Sequence, residues 1–135
     1  MTTEPRIATC ACGQLRLACS SEPVRISVCH CLDCQRRTGS AFGVQARFAR
    51  DQIVIEGAAT PFTRSSDSGN KATFHFCPQC GSAVCWELEA VPGFMSVTVG
   101  AFADPLFPEP WISIFEVRRH PWVSIAPDGP IEHLP

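Results

Sequence analysis

Cys77-Pro78-Gln79-Cys80-Gly81 is the stretch on which the reading of this chain turns. Two thiols separated by two residues both face one metal when the chain turns tightly between them. A glycine directly after them lets backbone amides approach the sulfurs without a side chain in the way. A tetrahedral structural site takes four ligands, so this pair needs another. Cys10-Ala11-Cys12-Gly13 is a smaller echo of the same pattern, and Cys10 and Cys12 are the best candidates to close the site. That pairing would tie the first hairpin to a strand far along the chain and staple a small domain across its core. Two plainer readings stand beside it, buried free cysteines and a redox dithiol. The dithiol reading normally wants a helix opening in a βαβ unit, a context this sequence does not offer.

Further out lies a second cluster, Val28-Cys29-His30-Cys31-Leu32-Asp33-Cys34. Cys29 should end a strand, with Cys31 and Cys34 at or just inside a short helix, where i, i+3 spacing puts both on one face. Three thiolates converge on one zinc and leave its fourth position open, the arrangement that separates a catalytic zinc from a closed one. His30 sits between two converging ligands, so it is expected behind them or toward solvent rather than on the metal. A second closed site of three cysteines and His30, and three unmetallated reactive thiols, remain open as alternatives. The single Cys19 and Cys85 read as small core residues. Nine cysteines, an odd number with no export signal before Cys10, argue against a disulfide framework and for a reducing, cytoplasmic setting.

The rest of the sequence is that of an ordinary globular chain. Its 135 residues suit one domain over 1–135, with 45% hydrophobic and 18% charged residues. A net charge of −2 offers no field for nucleic acid, and no apolar run approaches the roughly 20 residues of a membrane span. Twelve prolines and nine glycines punctuate the chain every few residues, as short strands joined by turns require. Strands are expected at Arg6–Cys10, Gln14–Cys19, Arg25–Cys29, Phe42–Phe48, Gln52–Glu56, Pro61–Arg64, Lys71–Phe76, Ala83–Leu88, Met95–Gly100 and Ile112–Val117. Asp67-Ser68-Gly69-Asn70 reads as a turn, and Leu32–Thr38 as the one short helix, stopped by Gly39. The class is mainly β. Phe42, Phe48, Phe74 and Phe76 are expected in the interior rather than as a substrate platform.

Taken together, Cys10–Gly13, Cys29–Gly39 with Arg36, Phe76–Gly81, Val99-Gly100 with Asp104-Pro105, and Arg119–Trp122 resemble the glutathione-dependent formaldehyde-activating enzyme family, which also includes centromere protein V. The resemblance implies an Mss4-like fold, a small zinc-stapled domain of several short antiparallel sheets with one short helix. It implies a carbon–sulfur lyase forming S-(hydroxymethyl)glutathione reversibly from glutathione and formaldehyde. By motif, a structural zinc falls on Cys10, Cys12, Cys77 and Cys80, and a catalytic zinc on Cys29, Cys31 and Cys34. Members of the family often carry a histidine where this chain has Ser113, so any substrate chemistry of that histidine would be missing here.

On this reading the open zinc carries a thiol as thiolate, because three thiolate ligands weaken its Lewis acidity. Glutathione has two carboxylates, and Arg36 and Arg37, beside the metal loop, are the nearest bidentate partners by sequence. The expected partners are a small-molecule thiol and aldehyde, with neither nucleic acid nor membrane. The rival is a non-enzymatic zinc module for protein or nucleic-acid interaction, opposed by the second thiol cluster and the balanced charge. Methionine sulfoxide reduction would want two Cys-x-x-Cys zinc pairs plus a separate redox cysteine, which Cys29 and the Cys10/Cys12 pair do not fit.

Overall fold

The computed structural model describes residues 4–66 and 69–135. Short apolar–polar alternations give short strands: β1 (Arg6–Thr9), β2 (Arg16–Cys19), β3 (Arg25–Cys29), β4 (Gly43–Ala49), β5 (Ile53–Glu56), β6 (Thr60–Ser65), β7 (Lys71–Phe76), β8 (Ala83–Leu88), β9 (Phe94–Thr98), β10 (Ile112–Ile114) and β11 (Glu132–His133). Among the described residues a single α-helix, α1, runs Leu32–Thr38 and stops at Gly39, whose left-handed backbone returns its N–H to the Gln35 carbonyl. β1, β2 and β5 form a three-stranded sheet. The other strands form an eight-stranded sheet in the order β11-β10-β3-β4-β9-β8-β7-β6.

The two sheets share one core. Leu15, Leu17, Cys19 and Ile53 from the small sheet and its turns pack with Ile26, Ala46, Phe48, Cys85, Met95 and Val97 from the large one. The period of two decides the rest. Where Ile26 and Val28 turn to the core, Arg25, Ser27 and Cys29 turn to the opposite face. In the facing strand, Gln45 and Arg47 do the same beside Ala46 and Phe48. That second face is where the candidate site lies.

All ten strands expected from the sequence form, with moved ends. The last strand stops at Ile114 because Phe115 adopts a left-handed φ of 56° and a 3-10 turn follows at Glu116–Arg118. β9 begins at Phe94 and ends at Thr98, since the 3-10 turn Val99–Phe102 tucks Phe102 against Phe48 and Phe107. β11 was not expected; two residues in a proline-rich tail carry no alternation to read. The expected antiparallel pairing holds except at β10, which lies parallel to both β3 and β11. β10 returns to β3 through a long excursion rather than a hairpin, and such a return can lie parallel. Part of the expected Asp67–Asn70 turn lies outside the described residues; Gly69 donates to the Ser66 carbonyl and Ser66 N–H to that of Asn70. Among the described residues no helix is long and apolar enough to cross a membrane.

Candidate functional site

The turns after β1 and after β7 bring Cys10, Cys12, Cys77 and Cys80 together, their sulfurs all within 4.8 Å of one another. Cys10 Sγ lies 3.6 Å from Cys12 Sγ, which lies 3.7 Å from Cys77 Sγ. Four thiolates around one ion at a metal–sulfur distance near 2.3 Å would stand about 3.8 Å apart, so the donor set fits a tetrahedral metal. Backbone amides support it: Leu15 N–H points at Cys10 Sγ, and Gln79 and Cys80 N–H groups point at Cys77 Sγ. The Ser82 hydroxyl, its backbone N–H and that of Cys12 pull the Cys80 thiol down to about 5. Burial raises Cys77, but the Gln14 amide and the amides of Cys80 and Gln79 outweigh it and hold the thiol low. Hydrogen bonds that favour the anion prepare sulfurs for a cation.

Gln14 also fixes the turn after β5. Its side chain donates to the Ala58 carbonyl at 2.7 Å and to Cys77 Sγ at 3.0 Å, and accepts from Ala58 N–H at 2.8 Å. Gly57, at φ +99°, permits this approach, because a Cβ there would stand 2.0 Å from the Gln14 carbonyl oxygen. Gly57→Ala should therefore destabilise the protein by roughly 2 kcal/mol or more. In a thermal melt that corresponds to a Tm lower by roughly 6–12 °C; an unchanged Tm would contradict the tight approach.

The second cluster lies on the other face of the large sheet. Cys29 ends β3, Cys31 is the N-cap of α1 and Cys34 sits in its first turn, and their sulfurs converge within 4.8 Å. The Cys34 N–H donates to Cys31 Sγ at 3.3 Å. Hydrogen bonds from Cys29 and Cys34 pull the Cys31 thiol far below its ordinary value and outweigh its burial. Donation to Cys31 and Cys34, with burial, pushes Cys29 up. For Cys34, the bond from Cys29 lowers the thiol, but donation to Cys31, burial and the Cys31 charge outweigh it. The three thiols form a three-sulfur set able to take a metal ion. Cys19 and Cys85 stay in the core as expected, their thiols pushed by burial to about 11 and about 12.

His30 is fully buried behind the cluster, and burial lowers its imidazole pKa. Its Nε2 meets the Ser113 hydroxyl at 2.9 Å. Ser113 pairs with Val28 in the sheet and shares the core-side face with it, whereas its neighbour Ile114 pairs with Cys29 and lines the site. A side chain at 113 therefore points away from the cysteines, toward His30.

A chamber of about 170 Å³ opens beside the cluster, lined by Cys29, Cys31 and Cys34 and by Arg25, Arg37, Arg47 and Arg64. Its floor is one cross-strand row, Arg25, Arg47, Ser96, Trp86 and Phe74. Arg37 lies over Trp86 at 4.2 Å from the ring centroid, and Arg64 lies over Phe74 at 5.2 Å. Arg37 fits because Gly43 has no side chain: a Cβ there would stand 2.9 Å from the Arg37 guanidinium. Burial, and then the Arg25 charge opposite, draw the Arg47 guanidinium below its ordinary pKa. Outside the chamber a larger groove of about 540 Å³ runs past Asp33, Arg36, Arg37, Phe62, Arg64 and Phe76. Arg37, Arg64 and Phe74 border both spaces.

Of the two arginines expected to hold substrate, Arg37 enters the chamber, while Arg36 stays 77% exposed at the groove and pairs with Asp33 at 3.7 Å. Arg64 takes the other Asp33 oxygen at 3.0 Å. Phe48 and Phe74 are interior as expected, Phe74 also lining the chamber, whereas Phe76 is only half-buried and lines the groove. Arg25, Arg47 and Arg64 were missed, although Arg25-x-Ser27-x-Cys29 carries the period of two that puts Arg25 on the face of Cys29.

A family model described as the glutathione-dependent formaldehyde-activating enzyme matches residues 5–118. Among solved structures, a crystal structure of a Rhodobacter sphaeroides protein, a structural-genomics target, is similar at TM-score 0.54 and 21% identity. It covers 70% of this chain and 85% of its own, a likeness of fold. No curated protein matches this chain.

Proposed function

The chain belongs to the glutathione-dependent formaldehyde-activating enzyme family, and from that premise we propose that it is a zinc-dependent carbon–sulfur lyase, adding glutathione reversibly to a small aldehyde such as formaldehyde to give S-(hydroxymethyl)glutathione. One observation carries the reading: the three-thiol cluster lines a chamber that shares Arg37, Arg64 and Phe74 with an outer groove rich in guanidiniums, the partners that glutathione's carboxylates need. Arg36, Arg37 and Arg64 supply three guanidiniums, against two carboxylates. At about 540 Å³ the groove lies within the roughly 300–1,000 Å³ of small-molecule sites.

Zinc suits both all-sulfur sets, and the ion held by Cys29, Cys31 and Cys34 would supply a cation that keeps a substrate thiol deprotonated at neutral pH. The rest falls to the chain. Arg37, fixed by Trp86 and Gly43, anchors a glutathione carboxylate between groove and chamber. Phe74 and Trp86 keep the reacting atoms on a dry wall, where charge interactions are stronger. The thiol sulfur bonds to the aldehyde carbon, the carbonyl π pair becomes the oxygen's, and the thiol proton ends on that oxygen. Cys10, Cys12, Cys77 and Cys80 would hold a structural zinc that staples the β1 turn to the β7 turn. Nine free cysteines suit a reducing compartment, which we take to be the cytoplasm.

Calorimetric titration with glutathione, followed by exchange spectroscopy of the glutathione–formaldehyde adduct, tests the proposal. We expect saturable binding and exchange faster than the uncatalysed rate. Neither binding nor acceleration would leave the non-enzymatic zinc module as the better reading.

A further inference from the structure

Building on the lyase reading, we infer that the inner chamber selects a small aldehyde that carries its own carboxylate, an oxo acid, and that Arg25 and Arg47 hold that carboxylate. The groove already offers Arg36, Arg37 and Arg64 to glutathione's two carboxylates, yet the chamber beyond it holds a further pair of cations. Arg25 and Arg47 stand directly opposite each other on β3 and β4. Like charges in that position repel, so the pair is arranged at a cost that a bound anion offsets. Neither belongs to an ion pair among the described residues. Arg25 Nε is buried with no partner, and no aspartate or glutamate among the described residues lines the chamber. Formaldehyde is uncharged and has one carbon; it makes no use of two guanidiniums.

Size points the same way. A cavity of about 150 Å³ holds a benzene-sized molecule, so a chamber of about 170 Å³ takes a few-carbon oxo acid and not a second peptide. Arg25 lies four residues along β3 from Cys29, about 13 Å by strand rise. A long arginine side chain, a short oxo acid and the attacking sulfur together bridge that span. Ser27 and Gln45, the row between, flank the bound molecule. Gln45 donates to the Ser27 hydroxyl at 2.9 Å. That hydroxyl can serve either end of the amide, so a half-turn of Gln45 offers its NH₂ to an anion. The reaction needs no other reactant: the glutathione sulfur bonds to the aldehyde carbon, the π pair moves to oxygen, the thiol proton follows, and the carboxylate is unchanged.

The experiment compares formaldehyde with glyoxylate and its longer homologue succinic semialdehyde in glutathione-adduct exchange, and titrates glycolate, an unreactive carboxylate of the same size, by calorimetry. We expect at least one oxo acid to exceed formaldehyde in kcat/KM by roughly 10- to 100-fold, and glycolate to bind and to compete with it. Arg25→Gln and Arg47→Gln should each lower the oxo-acid-to-formaldehyde ratio about tenfold or more and abolish glycolate binding. A wild-type ratio at or below one, or no glycolate binding, overturns the inference without any variant and leaves the lyase reading standing. So does a loss of glutathione affinity in both variants with the ratio kept, which would give the pair to a glutathione carboxylate. Bound glycolate with no exchange of any aldehyde would sink the lyase reading and the oxo-acid substrate together, and the glycolate titration separates that failure from the others.

Discussion

Cys77→Ser is expected to leave the chain without a cooperative fold. Cys77 is fully buried at the centre of its cluster, with Cys12 Sγ at 3.7 Å, the Gln14 amide at 3.0 Å and two backbone amides on its sulfur. Structural zinc binding is worth about 10–16 kcal/mol, as much as or more than the roughly 5–15 kcal/mol that stabilises a whole domain. Losing one of four thiolates forfeits a large share of it and leaves three sulfurs and several amides without their intended partner. The cluster also joins the β1 turn to the β7 turn, where the Ala11 N–H reaches the Ser82 hydroxyl at 3.2 Å. Circular dichroism during a thermal melt is the measurement, with metal content alongside. The outcome expected is an aggregated or non-cooperative protein, or a Tm lower by more than roughly 15 °C. A soluble variant with an unchanged Tm and full metal would sink the four-cysteine assignment.

The sequence alone already contained both sulfur sets, because a pair of thiols two residues apart is a local constraint that the rest of the chain cannot undo. It contained the strands as well, since alternation such as Leu15, Leu17 and Cys19 against Gln14 and Arg16 survives any topology. What it could not give were properties of register. Arg25 and Arg47 meet only because β3 and β4 pair with that register, and Trp86 and Phe74 join their row only through β9 and β8. Ser113 was placed correctly in a strand, but the side it faces depends on a parallel pairing with β3, and that turned it toward His30 and the core. A one-residue step in a strand reverses the face, so a motif aligned by its ends fixes position without fixing direction. Arg36 and Arg37 show the same limit on a helix: adjacent in sequence, one lies on Trp86 and the other in solvent.

Cys31→Ser should separate function from fold. Cys31 is half-buried at the edge of the site, and its sulfur does two things: it completes the three-thiol set and it caps α1 by accepting the Cys34 N–H. Serine is a favoured N-cap residue, and its oxygen accepts the same hydrogen bond, so the variant keeps the helix and loses only the thiolate. The core residues Phe48, Met95 and Val97 lie on the opposite face of the sheet and are untouched. The Tm is therefore expected within about 3 °C of wild type. Glutathione binding should fall below detection, and adduct exchange should fall by two orders of magnitude or more, since two thiolates hold a metal less well than three. Metal content should drop from two ions per chain to one. A mild chelator should do the same to wild type, stripping one ion while circular dichroism stays native, because a three-thiolate site leaves its metal open to competing ligands. Calorimetry, exchange spectroscopy and metal analysis on one preparation read all three effects. If Cys31→Ser loses both ions and its fold in one step, the second cluster is a closed structural site, and the catalytic role given to Cys29, Cys31 and Cys34 goes with it.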